Sequence, residues 1–192
     1  DGQVYCTLTN NVKRGEDGQP VGGPNPREKN VYGQILRWNA HKGDHGADTF
    51  DWDLFVVAGN PAVHGQQAKG GSANITAQNM FNSPDGLGFD AAGRLWIVTY
   101  GDVSNAGDFA GMGNNQMLCA DPASGEIRRF MVGPIGCEVT GISFSPDHKT
   151  LFVGIQHPGE NGGSTFPEHL LNGKPRSTVM ALSREDGGVV GA

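Results

Sequence analysis

One strand-turn-strand unit occurs twice in this chain and restricts its fold more than any other feature. Residues 85–99 and 140–154 align with Phe89 on Phe144, 55 positions apart. That spacing sits near the long end of the roughly 40 to 50 residue periods of four-stranded propeller blades. In each copy a first strand alternates inward residues, Leu87 and Phe89 or Ile142 and Phe144. A turn containing Asp or Gly then reverses the chain, and a second strand carries aromatic and aliphatic side chains into the space between sheets. Residues 2–9 overlay 93–99 as a third, partial copy.

The remaining strands follow from the same alternation. Residues 117–120 and 126–132 flank the turn 121–125 as an outer hairpin, residues 33–38 and 52–57 form a hairpin of another blade, and 177–182 supply an outer strand of the last. The 31 glycines and 11 prolines fall between β-branched and aromatic clusters, which fits short strands joined by tight turns in an all-β fold. Residues 1–192 are therefore expected to be one partial β-propeller of about three blades. Propellers close with four to eight blades, so three should leave sheet faces uncovered. A chain whose first residues already enter a strand reads as a fragment or a processed product. Four long polar segments, 13–30, 60–83, 102–115 and 157–176, interrupt the strands, and loops of such length usually carry function.

A formal charge of -6 leaves no basic face for a polyphosphate backbone, so nucleic acid is not an expected partner, whereas divalent cations suit the surface. No stretch approaches the roughly 18 apolar residues of a membrane helix, and no charged-then-apolar leader opens the sequence. Cys6, Cys119 and Cys137 lack CxxC spacing. They read as small buried hydrophobes, with one disulfide and a free thiol as the alternative. Gly-x-Ser-x-Gly, Walker and HExxH patterns are absent, which removes the common serine-hydrolase, nucleotide-binding and zincin readings. The polar run 41–53 lacks the glycine and glutamate placement of an EF-hand loop and reads as a hairpin turn.

Carboxylates and amides cluster just before inner strands, where one group from each blade can converge on a single ion. Asp85, Glu138 and Asn10 are oxygen donors suited to a hard cation such as calcium. Asp85 can equally cap its own turn. Glu138, between Cys137 and Val139, would be a costly buried carboxylate without a cation or a hydrogen-bonding partner, an arginine being the competing one. His157, just after the last inner strand, has the chemistry of a metal ligand or an acid/base group, but without a second nearby histidine it reads first as a loop residue held by backbone contacts. Arg14 and Arg27 lie in a loop able to cover a channel mouth. Each is either a solvated surface arginine or a bidentate clamp for a phosphate oxyanion.

Taken in order, Thr9-Asn10-Asn11, Asn25-Pro26-Arg27, Tyr32-Gly33, Arg37-Trp38, Pro84-Asp85-Gly86-Leu87, Gly93-Arg94-Leu95-Trp96, Glu138-Val139-Thr140-Gly141 and Gln156-His157-Pro158-Gly159-Glu160 resemble the C-terminal part of the PhoX alkaline phosphatases. The resemblance implies a six-bladed propeller holding calcium and ferric iron. It also implies hydrolysis of phosphate monoesters in the periplasm or outside the cell after twin-arginine export. It places metal ligation on Glu138 and Asp85, with Asn10, Arg14 and Arg27 as further candidates. It puts the iron-binding cysteine and an acidic motif in an N-terminal half outside these residues, so the segment alone is expected to be inactive and to need that half as its partner. Tyr100 stands where relatives commonly have aspartate, which withholds a metal role from that position. A gluconolactonase-like calcium propeller is the enzymatic alternative on residues 84–96, and a non-catalytic binding propeller the other.

Overall fold

A computed structural model describes residues 2–169 and 172–192. Its strands are β1 (Gln3–Leu8), β2 (Gln34–Ala40), β3 (Phe50–Val57), β4 (Pro84–Phe89), β5 (Leu95–Thr99), β6 (Gln116–Ala120), β7 (Ile127–Val132), β8 (Glu138–Phe144), β9 (Thr150–Gln156) and β10 (Thr178–Ser183). Among the described residues one short α-helix, α1 (Pro61–His64), is capped by the Asn60 side chain and has a proline in its first turn. The strands form three antiparallel sheets, ordered β1-β2-β3, β4-β5-β6-β7 and β8-β9-β10. The expected hairpins are all present, and β1 stands beside β2 as β5 stands beside β6, which is the overlay read from residues 2–9 and 93–99.

The middle sheet explains why β5 is apolar throughout rather than alternating. A strand covered on both faces needs side chains of the same kind on each. Leu95 and Ile97 join Tyr32, Ile35 and Val56 in a core shared with the first sheet. Trp96 and Val98 point the other way, into a core with Val139, Leu151, Val153 and Ile155 of the third. Each sheet thus lies face to face with the next. Where expectation fails is Phe89: it lies on the predicted face but at the rim, 49% exposed, with its ring edge against Tyr5. All three cysteines are free.

Two sheet faces belong to neither core among the described residues. On the first sheet the cross-strand rows Val4, Trp38, Trp52 and Cys6, Leu36, Leu54 belong to neither core, and Trp52 is 44% exposed. On the third, Phe152 pairs with Ala181 on the face turned away from the core, beside Val179 at 72% exposure.

The middle and third sheets are also joined through Arg94. Its guanidinium bonds the Asp90 carboxylate, which also accepts the Trp96 indole N–H at 2.9 Å. It also donates to the carbonyls of Val190 and Gly191, and the Val190 amide donates to His148 on the β8-β9 turn. No helix among the described residues is long and apolar enough to cross a membrane.

Candidate functional site

The segment after β5 and the turn before β8 open on a cleft of about 600 Å³ lined by Asn10, Tyr100, Asp102, Asn115, Cys137 and Glu160 among others. A cavity of comparable volume, about 610 Å³, lies near Asn74, Asn79 and Arg129. There the amides and the guanidinium are tied to one another and to backbone, as in the bond from Arg129 Nη2 to the Met80 carbonyl at 2.9 Å, so the first cleft is the chemically open one.

Glu138 begins β8, and its register against Gln156 sets His157 beside it. The carboxylate is buried, with 8% exposure, and its partner is His157 rather than an arginine: Nε2 and Oε2 are 3.3 Å apart. The other ring nitrogen, Nδ1, faces Glu160 Oε2 at 3.6 Å, beyond hydrogen-bond reach, and has no hydrogen-bond partner among the described residues. Tyr100 closes the group, its ring edge-on to His157 at 5.3 Å and its hydroxyl 3.5 Å from Glu160. The Glu160 charge, then burial, then Glu138 push the Tyr100 phenol above its ordinary range. His157 is thus held by side chains in the cleft, not only by the backbone bond from its amide to Ser177 Oγ at 2.9 Å.

Asp85 lies in β4, half-buried, and among the described residues its carboxylate takes no bond from its own turn. Its backbone carbonyl accepts from Thr7 Oγ1 at 2.9 Å. The Asn10 amide donates to Ser83 Oγ at 3.0 Å, and Ser83 donates to Asn82 Oδ1 at 3.0 Å. Among the described residues no three His, Cys, Asp or Glu side chains converge as a complete metal-binding group. Glu138, Asp85 and Asn10 therefore offer hard oxygen donors without forming a closed set.

The two arginines part company. Arg14 lines a smaller cavity of about 370 Å³ with Asn10 and Asn25. It donates to the Pro20 carbonyl at 3.3 Å, and its buried Nε has no hydrogen-bond partner among the described residues. Arg27 is turned into the protein, 4% exposed. Its Nη1 donates to the carbonyls of Ala58 at 2.6 Å and Ala68 at 3.2 Å, and its Nη2 to Asn30 Oδ1 at 2.6 Å and the Gly33 carbonyl at 3.1 Å. The guanidinium also lies over the Tyr32 ring, and burial pulls its pKa down to about 10. In this structure Arg27 organises its loop and has no fork to offer an oxyanion, which corrects the clamp reading.

Sequence reasoning missed Tyr100 and Glu160 as members of this group. The available signal was pairing: once β8 and β9 are aligned, residues 138 and 157 must be neighbours, and Glu160 follows three positions later.

A family model described as alkaline phosphatase PhoX matches residues 1–159. No curated protein matches the chain. Among solved structures the chain is similar to Pseudomonas fluorescens PhoX in complex with vanadate, a transition state analogue, with 85% sequence identity and a TM-score of 0.99. The match covers 100% of this chain and 33% of the other, so the chain spans about a third of that protein's length.

Proposed function

Because this chain belongs to the PhoX alkaline phosphatase family, we propose that it forms the C-terminal part of a metal-dependent phosphatase of phosphate monoesters and supplies one wall of the active site. The observation that carries this reading is Glu138, a buried carboxylate next to cleft-lining Cys137, whose side-chain partner among the described residues is a histidine at 3.3 Å. An ionised carboxylate so placed is costly unless a cation or further donors approach it. The family match favours a phosphatase over a gluconolactonase-like or purely binding propeller.

The donors present fit hard cations, calcium and iron, in part. Glu138, Asp85 and the Asn10 amide would hold them, and the remaining ligands would come from chain outside these 192 residues, since no three metal-binding side chains converge among the described ones. Such metals would polarise phosphoryl oxygens and stabilise the attacking or leaving oxygen. Within this chain, the Arg14 guanidinium, which lines the smaller cavity beside Asn10, is the group that would meet a phosphate oxygen. His157 orients the Glu138 carboxylate, and Tyr100 with Glu160 narrows the cleft.

The partner is the rest of the same propeller. The solved relative is three times as long, and the two bare apolar faces lie at opposite ends of the stack of sheets, where further blades would cover them. A periplasmic or extracellular location belongs to the same proposal. The test uses the full-length parent: metal content by mass spectrometry and hydrolysis of p-nitrophenyl phosphate, with Glu138→Gln beside the wild type. Calcium and iron with activity in the parent, both reduced by the substitution, are expected. A metal-free, inactive parent overturns the reading.

A further inference from the structure

Tyr100 and Glu138 sit on different sheets, each at a strand end where backbone is least constrained by its ladder, yet they meet the same histidine. One buried amide accounts for this. Asn115, 4% exposed and immediately before β6, accepts at Oδ1 from Thr99 Oγ1 at 3.0 Å and from the Gly101 amide at 2.8 Å. Its Nδ2 donates to the Cys137 carbonyl at 2.8 Å and to the Gly101 carbonyl at 3.4 Å. The four bonds grip the residues on either side of Tyr100 and the residue just before Glu138. An amide has two donors and two acceptor lone pairs, so this one is saturated and has nothing left for a ligand. Its effect on the cleft is exerted through the two backbones it joins.

We infer that Asn115 is a positioning residue that fixes the Glu138 wall of the cleft against the Tyr100 wall. The inference rests on the reading of this cleft as the phosphatase site. Two further features make the clasp rigid. A Cβ at Gly101 would fall 1.7 Å from Asn82 Oδ1, so any larger residue there has to displace the Asn82 side chain. The Asn82 side chain in turn brackets Asp102, accepting from its amide and donating to its carbonyl, each at 3.1 Å. The strand end that carries Tyr100 is therefore held by two amides in series, and Asn115 alone reaches across to the third sheet.

The molecule contains its own control. Asn79, 7% exposed, has the same four-bond pattern at the distant cavity: Oδ1 accepts from the Thr76 amide and hydroxyl at 2.7 and 3.1 Å, and Nδ2 donates to the carbonyls of Asn74 and Ile127 at 3.0 and 2.8 Å. Asn→Asp at either site keeps both acceptors and removes both donors, leaving a carboxylate against carbonyl oxygens.

The experiment compares Asn115→Asp and Asn79→Asp in the full-length parent, with Asn115→Ala as a second variant should the first fail to fold. Melting temperature, kcat and KM for p-nitrophenyl phosphate, and amide hydrogen exchange are measured. Both substitutions should lower the melting temperature. Asn115→Asp alone should lower kcat, by about ten- to a hundredfold, since a displacement near 1 Å in a catalytic group costs that much, while KM moves far less. It alone should speed exchange at Gly101, Asp102, Glu138 and Val139. Equal loss of kcat in the two variants, or unchanged exchange at those four amides in Asn115→Asp, overturns the inference. A wild-type parent without phosphatase activity would count against the proposed function, and the exchange comparison would still decide the role of Asn115.

Discussion

Replacing Arg27 by methionine separates a clamp from a keystone. Methionine keeps the aliphatic stem and deletes the guanidinium, which strands the carbonyls of Ala58 and Ala68 and takes one of two donors from the Gly33 carbonyl and the Asn30 side-chain oxygen. A buried polar group left without its partner costs about 1–3 kcal/mol. The four losses are not equal, since water can reach the half-buried contact at Ala68, the Gly33 carbonyl still accepts from the Ala58 amide, and Asn30 Oδ1 still accepts from the Gly33 amide. A net loss of about 3–5 kcal/mol is the reasonable figure, the middle of the range for two such stranded carbonyls. For a cooperative unit of 150–250 residues each kcal/mol is worth about 2–4 °C, so the melting temperature should drop by about 6–20 °C. Arg27→Lys should recover little, because a point charge with three donors cannot span acceptors arranged for a planar fork. The assay is a thermal melt followed by circular dichroism, paired with KM for p-nitrophenyl phosphate in the parent at a temperature where the variant is folded. A melting point within about 2 °C of wild type together with a tenfold higher KM would refute the argument and return Arg27 to the substrate.

Asp108 should show a pH-dependent contribution. Lys69 at 2.9 Å and His64 at 3.0 Å face its carboxylate, and the Lys69 hydrogen bond is the main cause of its lowered pKa. A carboxyl whose folded pKa lies below its unfolded value stabilises fully above the ordinary range near 4 and loses that contribution as pH falls through the folded value. The gap in melting temperature between wild type and Asp108→Asn should therefore be present at pH 7 and close below about pH 4. A gap independent of pH would contradict the ion-pair account. Cys137 is 1% exposed, and burial pushes its thiol up to about 11. Iodoacetamide at pH 8 should leave it unmodified in the native protein and alkylate it in urea, as read by peptide mass spectrometry. Native labelling would mean that the cleft opens as far as this sulfur.

The hairpins were legible because alternation and turn residues are local. The β4-β5 and β8-β9 units need nothing beyond their own dozen residues to declare themselves. Phe89 shows the limit of that signal: period two assigns it a face, but its exposure depends on how far the neighbouring sheet extends over the strand end. Arg27 shows a second limit. Three of its four partners are backbone carbonyls, at positions 33, 58 and 68, and a carbonyl has no residue type, so no pattern of side chains announces the contact. Glu138 was recognisable as a buried carboxylate from its apolar neighbours, whereas its partner required the β8-β9 register. Asn115 looked like the polar end of a loop, and nothing in its local sequence distinguishes a saturated buried amide from a solvated one.

The contact from Arg94 to Val190 and Gly191 bears on the order in which the molecule assembles. It joins groups 96 and 97 positions apart, on the far side of every strand of the third sheet. Closing so long a segment before the sheet exists would sacrifice chain entropy for a few hydrogen bonds, so the clasp forms late. Once formed it works in reverse: the third sheet cannot peel from the second without first breaking bonds at its last residues. Unfolding from that side is gated by residues 190 and 191, and an opening that starts there should carry both sheets with it as one cooperative block.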